Sequence, residues 1–432
     1  MALSIPLPYV ESTERVRFVS AFVGAMCVTS ASLIARTAGD TLFLSSYGRD
    51  FLPYMFIGTP LVVSVLSYAF GTYLRKFALS QVIMVACVFL ASCCMGLSVA
   101  LAHPWGGFRI AAYFLGDLIV YGSMLLFWSF FGQIFNSRHA KRLLGPVGAG
   151  GTFACILAGL LVGPYTQRLG TANLLLLVAL LLLIFGGAVF YLYRNEPSYL
   201  QTPPQDRRET KVSNLGYYTR LVKMVQVRNL ALLVVVATVA VTLVDYQFKA
   251  SVQSVYQGQT LAAFFGNFYF ATNVLTLLIQ VFLVSRLLQG SLLITLYILP
   301  VALLVGSLGT SLTAAFGWIV ATKFIVQTAT FTIDNSALQI LYLGIRKQSY
   351  SQARAFIDGI CKPLAMGVTG VVLVAVSDIL PIHSLALGVS ALAIIWLALV
   401  RKTYSVYVKG LIEGLGTRLF DLPQENTALH HQ

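Results

Sequence analysis

The sequence predicts an all-α membrane protein of twelve transmembrane helices arranged as two six-helix halves. Three observations carry that expectation. Of the 432 residues, 58% are apolar and only 10% are charged, whereas a soluble domain carries roughly 25% charged residues. The apolar residues fall in runs of about twenty, the length that crosses the hydrocarbon core of a bilayer. One long polar stretch, Asn195 to Arg228, interrupts the pattern at its midpoint and holds Pro203 and Pro204.

Six spans are expected before that stretch, over 16–46, 53–74, 80–102, 109–135, 144–166 and 172–194. Six follow it, over 229–250, 259–288, 291–310, 313–334, 355–377 and 380–402. The domain division is therefore a first half, 1–194, a linker, 195–228, a second half, 229–402, and a polar tail, 403–432, with an amphipathic portion from Val406 to Phe420. The first fifteen residues are polar and contain prolines. The first apolar run has span length and no cleavage site, so it is read as a retained helix rather than a signal peptide.

The formal charge of +14 is not a nucleic-acid signature once its positions are read. Of 29 basic residues, 23 fall on the linker's side of the expected membrane. Arg49, Arg109 and Arg168 fall on the other side, and Arg36, Lys249 and Lys323 fall within spans. Cytoplasmic loops collect Lys and Arg. The linker and both termini are therefore expected in the cytoplasm, in a bacterial inner membrane. The six cysteines, Cys27, Cys87, Cys93, Cys94, Cys155 and Cys361, lie in or near spans without metal-ligand or redox spacing, and are read as small apolar packing residues. The histidines lie in loops or the tail. Neither a catalytic constellation, a metal site nor a cofactor is expected.

Chemistry is sought where the bilayer should reject it. Arg36, Asp40, Asp117, Asp245, Lys249, Lys323 and Asp334 are ionisable residues within spans. Each costs about 2.5–3.5 kcal/mol at a helix centre on an insertion scale, so they must face the bundle interior. Arg36 with Asp40, and Asp245 with Lys249, stand four apart on one helical face, where they can neutralise each other. Lys323 has no acid within a turn of its own span; it needs a partner across the bundle or an anion. Asp117 also lacks a local base, which suits a protonation site and makes the proton a possible coupling ion. Asp334, at the linker end of its span, suits a gate or helix end, as do Arg142 and Asp358 in the adjoining basic loops. The run Gly145-Pro-Val-Gly-Ala-Gly-Gly is expected to open a helix, where it serves close packing or a gate. A phosphate cradle there is weakly indicated, because the Gly-Lys-Ser/Thr ending of a P-loop is absent.

The halves repeat features in order. Arg36-x3-Asp40 in the first is matched by Asp245-x3-Lys249 in the seventh span, and basic residues follow the second and eighth spans. Two six-helix halves joined by a cytoplasmic linker resemble the major facilitator superfamily, although its usual Asp-Arg-x-Gly-Arg loop is replaced by Gly71-Thr-Tyr-Leu-Arg-Lys-Phe77. Within it, Arg36-Thr-Ala-Gly-Asp-Thr-Leu-Phe-Leu44, Ser137-Arg-His-Ala-Lys-Arg142 and Ser351-Gln-Ala-Arg-Ala-Phe-Ile-Asp358-Gly359 resemble segments of the bacterial and plastid ATP/ADP translocases. That family's Lys/Arg-Ala-x-x-x-Asp segment has one more residue before its Asp than separates Ala355 from Asp358. The resemblance implies alternating access and exchange of nucleotides or similar anions, with Arg36, Lys249 and Lys323 as phosphate partners. Set against this, three span-level bases face four acids. Three functions are compatible: a carrier of a small organic anion, nucleotides included; a proton-coupled carrier or efflux protein for another small molecule, through Asp117, Asp40 or Asp245; and a non-transporting accessory protein with a carrier fold.

Overall fold

Inside a bilayer no water is available to satisfy a backbone amide, so an apolar segment closes its own hydrogen bonds and becomes a helix. The computed structural model describes residues 15–74, 77–103, 105–135, 137–196, 222–283, 291–343, 345, 353–354, 356–377, 379 and 381–420. Its helices are α1 (Arg15–Tyr47), α2 (Leu52–Leu74), α3 (Leu79–Ala100), α4 (Gly107–Ile134), α5 (Ser137–Leu169), α6 (Leu174–Asn195), α7 (Val225–Val255), α8 (Gly258–Phe282), α9 (Leu292–Thr313), α10 (Phe316–Ala329), α11 (Asn335–Leu343), α12 (Lys362–Val376) and α13 (Ile382–Phe420). A π-helical turn, Thr330–Asp334, joins α10 to α11 within one span, and a second, Ile357–Cys361, leads into α12. Among the described residues, eleven segments are long and apolar enough to cross a membrane, and α2 adds a shorter apolar stretch, Leu52–Leu66.

Two expected boundaries are corrected. Helix α5 begins at Ser137, seven residues before the expected start at 144. The run from Gly145 therefore lies inside a helix rather than at its opening. Its amides face carbonyls one turn back, and the phosphate-cradle reading loses the free N–H groups it needs. Helix α13 continues past Lys402 to Phe420, because Lys and Arg are good helix formers and do not end a helix by charge alone. All six cysteines are free thiols, with Cys27, Cys87 and Cys94 buried.

The chain crosses back and forth, so one end of the bundle collects Arg15, Asn195 and Val225 (the linker end). The far end collects Tyr47 and Val255. The two sets of helices meet mainly toward the far end. One apolar core joins Phe43, Leu52, Phe56 and Tyr113 of α1, α2 and α4 to α7, α8 and the later helices. Two other cores lie wholly within the first six helices. At the seam of α5 and α8, a Cβ on Gly159 would stand 2.7 Å from the amide nitrogen of Phe270 and 2.9 Å from the carbonyl oxygen of Gly266. The seam of α2 and α12 is as tight: a Cβ on Gly370 would stand 2.9 Å from the carbonyl oxygen of Pro53. At the far ends of α8 and α1, the Gly258 amide donates to Ser45 Oγ at 3.2 Å. The far end is sealed by backbone-to-backbone approach.

Candidate functional site

Five of the span-level charges converge between α1, α7 and α10. Asp40 lies seven residues before the end of α1, Lys249 six before the end of α7, and Lys323 seven after the start of α10. At 1.5 Å per residue, all three sit about 10 Å inside the far end. Lys249 Nζ donates to Asp40 Oδ1 at 2.8 Å and lies 3.2 Å from Asp245 Oδ2. Lys323 Nζ donates to Asp245 Oδ1 at 2.7 Å. These side chains are almost wholly shielded from solvent, and the Lys249 ammonium also lies 5.7 Å from the ring centre of Phe56 and 5.6 Å from that of Tyr113. A buried cation with two carboxylates and two ring faces is well compensated.

Arg36 differs from both lysines. Its Nη2 is 3.6 Å from Asp245 Oδ2 and its Nε is 3.9 Å from Asp40 Oδ2. Both distances exceed a hydrogen bond. Its Nε and Asp40 Oδ2 are buried atoms without a hydrogen-bond partner, yet 32% of the Arg36 side chain is exposed. The guanidinium thus stands at the edge of the cluster with donors to spare. Three cations and two carboxylates leave one net positive charge.

Asp117 stands beside this group. It accepts a hydrogen bond from Thr59 of α2 and lies within electrostatic reach of Arg36. A Cβ on the preceding Gly116 would be only 2.9 Å from the carbonyl oxygen of Ala35, so α4 crosses α1 here with no room for a side chain. With Asp117 ionised the site is neutral overall; with Asp117 protonated it keeps the one net positive charge.

The remaining sequence candidates lie elsewhere. Asp334 is buried in the first π-turn, eleven residues along the span from Lys323; the helix runs on to Leu343, so Asp334 lies inside the span and not at its linker end as expected. Asp358 is exposed, in the second π-turn, where it accepts from the Tyr342 hydroxyl at 3.0 Å and lies 3.5 Å from Arg354. The Arg142 side chain lies outside the described residues. Asp358 belongs to a separate linker-end group, away from the cluster. Among the described residues, no group of His, Cys, Asp and Glu is arranged to hold a metal ion.

The structure sharpens two expectations about pairing. The local pairs Arg36–Asp40 and Asp245–Lys249 exist, but the tightest contacts run between helices, to Asp40 from α7 and to Asp245 from α10. Of its two expected alternatives, Lys323 takes the partner across the bundle, Asp245, 78 residues back along the chain. The sequence reading also missed Thr59, Phe56 and Tyr113. A threonine or an aromatic ring within a span carries no mark of the charge it will meet.

An all-helical bundle that spans the membrane many times, sealed at one end over a buried charge cluster, defines a secondary membrane transporter of the major facilitator architecture. Solved structures agree on the fold. The nucleoside transporter NupG matches with a TM-score of 0.64 at 10% identity, over 91% of this chain and 99% of that one. A bacterial homologue of the iron transporter ferroportin, in an inward-facing state, matches with 0.61 at 14% identity, over 93% and 99%. The inward-open xylose transporter XylE from E. coli matches with 0.60 at 10% identity, over 90% and 95%. No curated protein matches. The TLC ATP/ADP transporter family matches residues 56–411, and the chain belongs to that family: it is a multi-pass transporter and not an enzyme.

Proposed function

We propose that the chain exchanges adenine nucleotides, ATP against ADP, by alternating access around the Arg36 cluster. The observation that carries this reading is Arg36 itself, a part-exposed guanidinium whose acidic neighbours stand too far off for hydrogen bonds. A phosphate accepts two parallel bonds from such a fork, and each is stronger than a neutral one. Lys249 and Lys323, already engaged by carboxylates, hold the cluster together and supply positive potential behind Arg36. One net positive charge does not neutralise a triphosphate. The terminal phosphate therefore meets Arg36, while the remaining charge extends toward the linker end, where water solvates it. Exchange suits this balance, because one anion replaces another without leaving the site empty for long.

The distribution of basic residues, 23 on the linker's side against three on the other, supports a linker end in the cytoplasm of a bacterial inner membrane. The seal at the far end then describes an inward-facing state. Proton coupling is a second reading. It is favoured by Asp117, a carboxylate held by the Thr59 hydroxyl at the edge of the cluster.

A thermal-shift series on purified protein tests the substrate, since a ligand that binds the folded state raises apparent stability. ADP and ATP should stabilise the wild type, adenosine should not, and Arg36→Ala should sharply reduce the shift at the same nucleotide concentration. Stabilisation by adenosine as strong as by ADP would refute a phosphate-led site.

A further inference from the structure

Helix α4 carries a second feature that leads away from the charge cluster. At about 100° per residue, Asp117, Tyr121 and Trp128 fall within about 40° of one another on one face of the helix. Asp117 turns that face toward the interior, since it meets Thr59 and lies within reach of Arg36. Tyr121 follows it, within electrostatic reach of Arg36, Asp245 and Lys249. It is nevertheless 39% exposed. Exposure beside charges of both halves is what a side chain facing the path between the halves would show. Trp128 continues the same face toward the linker end, about 10 Å further along the axis, and is 51% exposed.

A different face of α4 is packed within the first six helices. Phe127 and Phe130 both pack against Phe185 of α6. Trp128 is braced edge-on by Phe127 and Phe131, with ring centres 5.4 and 5.9 Å away. The indole is therefore a supported flat surface facing the same side as Tyr121. Aromatic faces accept nucleobases by stacking, a contact tolerant of sequence because every base has a π-face.

Resting on the reading that the substrate is a nucleotide with its phosphate at Arg36, we infer that Trp128 is the platform for the base. The nucleotide lies along α4, its phosphates beside Arg36, its sugar passing Tyr121 and its base on the indole of Trp128. The site thus separates two recognitions. Arg36 selects for an anion, and Trp128 selects for a planar, uncharged end.

Titration calorimetry of the purified full chain with ADP and with inorganic pyrophosphate separates the two. Trp128→Leu, which keeps an apolar side chain but removes the ring, should weaken ADP at least about fivefold and leave pyrophosphate binding unchanged. Trp128→Phe, which keeps an aromatic plane, should restore most of the ADP affinity. If Trp128→Leu binds ADP as the wild type does, Trp128 is an aromatic at the membrane interface, and this inference falls while the nucleotide reading stands. Equal weakening of ADP and pyrophosphate would also overturn it, because the residue would then be acting on the fold. A wild type that binds pyrophosphate but not ADP would overturn both readings together.

Discussion

Lys249→Met removes the charge at the junction of the two halves while keeping much of the side chain's bulk. Lys249 Nζ is 2.8 Å from Asp40 and 3.2 Å from Asp245. At an effective dielectric of about 20, each contact corresponds to about 5–6 kcal/mol of Coulomb attraction, most of which offsets the desolvation of the ions. Removing one partner of a buried pair costs about 3–5 kcal/mol, because the other charge is left behind. The stranded residue is Asp40, whose remaining cation is Arg36 at 3.9 Å. Asp245 keeps Lys323 at 2.7 Å and Arg36 at 3.6 Å. The rescue should therefore be asymmetric. Adding Asp40→Asn to Lys249→Met should recover about 1–3 kcal/mol, within the usual range for coupled neighbours. Adding Asp245→Asn should cost more, since it strands Lys323. Equilibrium unfolding in mixed micelles with rising detergent denaturant measures all four proteins. A Lys249→Met variant within about 0.5 kcal/mol of wild type, or equal rescue by the two asparagines, would refute the pairing.

Arg36→Ala should accumulate and fold like the wild type, because the guanidinium is already part-exposed and beyond hydrogen-bond distance of its acids. It should lose about ten- to hundredfold in ADP affinity, the worth of one charge-assisted contact, as read by calorimetry. Gly159→Ala should prise the α5–α8 seam, at a cost of about 1–3 kcal/mol for overpacking. Spin-label distances across the far ends of those helices should lengthen, and unchanged distances would contradict the sealed-end account. In a background freed of native cysteines, an impermeant maleimide added outside cells should label Trp105→Cys and spare Lys223→Cys. The reverse pattern would invert the orientation.

Much of the fold was legible because charges punctuate the apolar runs. Arg15 and Arg194 bracket the first six spans, and α1, α3 and α6 lie within two residues of their expected ends. Helix α5 was misread because Ser137 to Gly145 is polar and basic but helix-compatible, so composition placed the boundary where hydropathy rises rather than where the backbone begins to coil. The π-turn at Thr330–Asp334 gave no warning, since its residues would serve in an ordinary helix. The membership of the site was readable for a plain reason: a span tolerates an ion only where something answers it, so Arg36, Asp40, Asp117, Asp245, Lys249 and Lys323 announced themselves. Their pairing did not. Periodicity reveals neighbours four apart on one helix. It says nothing of Lys323 reaching Asp245 from another helix, or of Thr59 meeting Asp117, because those contacts depend on how helices cross. It is equally silent about which cation is left unsatisfied.

Counterflow in proteoliposomes tests the central claim most directly. Purified protein is reconstituted with unlabelled ADP inside, and uptake of radiolabelled ATP from outside is followed over time. Nucleotide exchange predicts saturable uptake that requires internal ADP or ATP, is not supported by internal adenosine, and vanishes in Arg36→Ala reconstituted at the same density. Uptake that proceeds equally from vesicles lacking internal nucleotide, or that persists undiminished in Arg36→Ala, would contradict an exchanger built around this arginine.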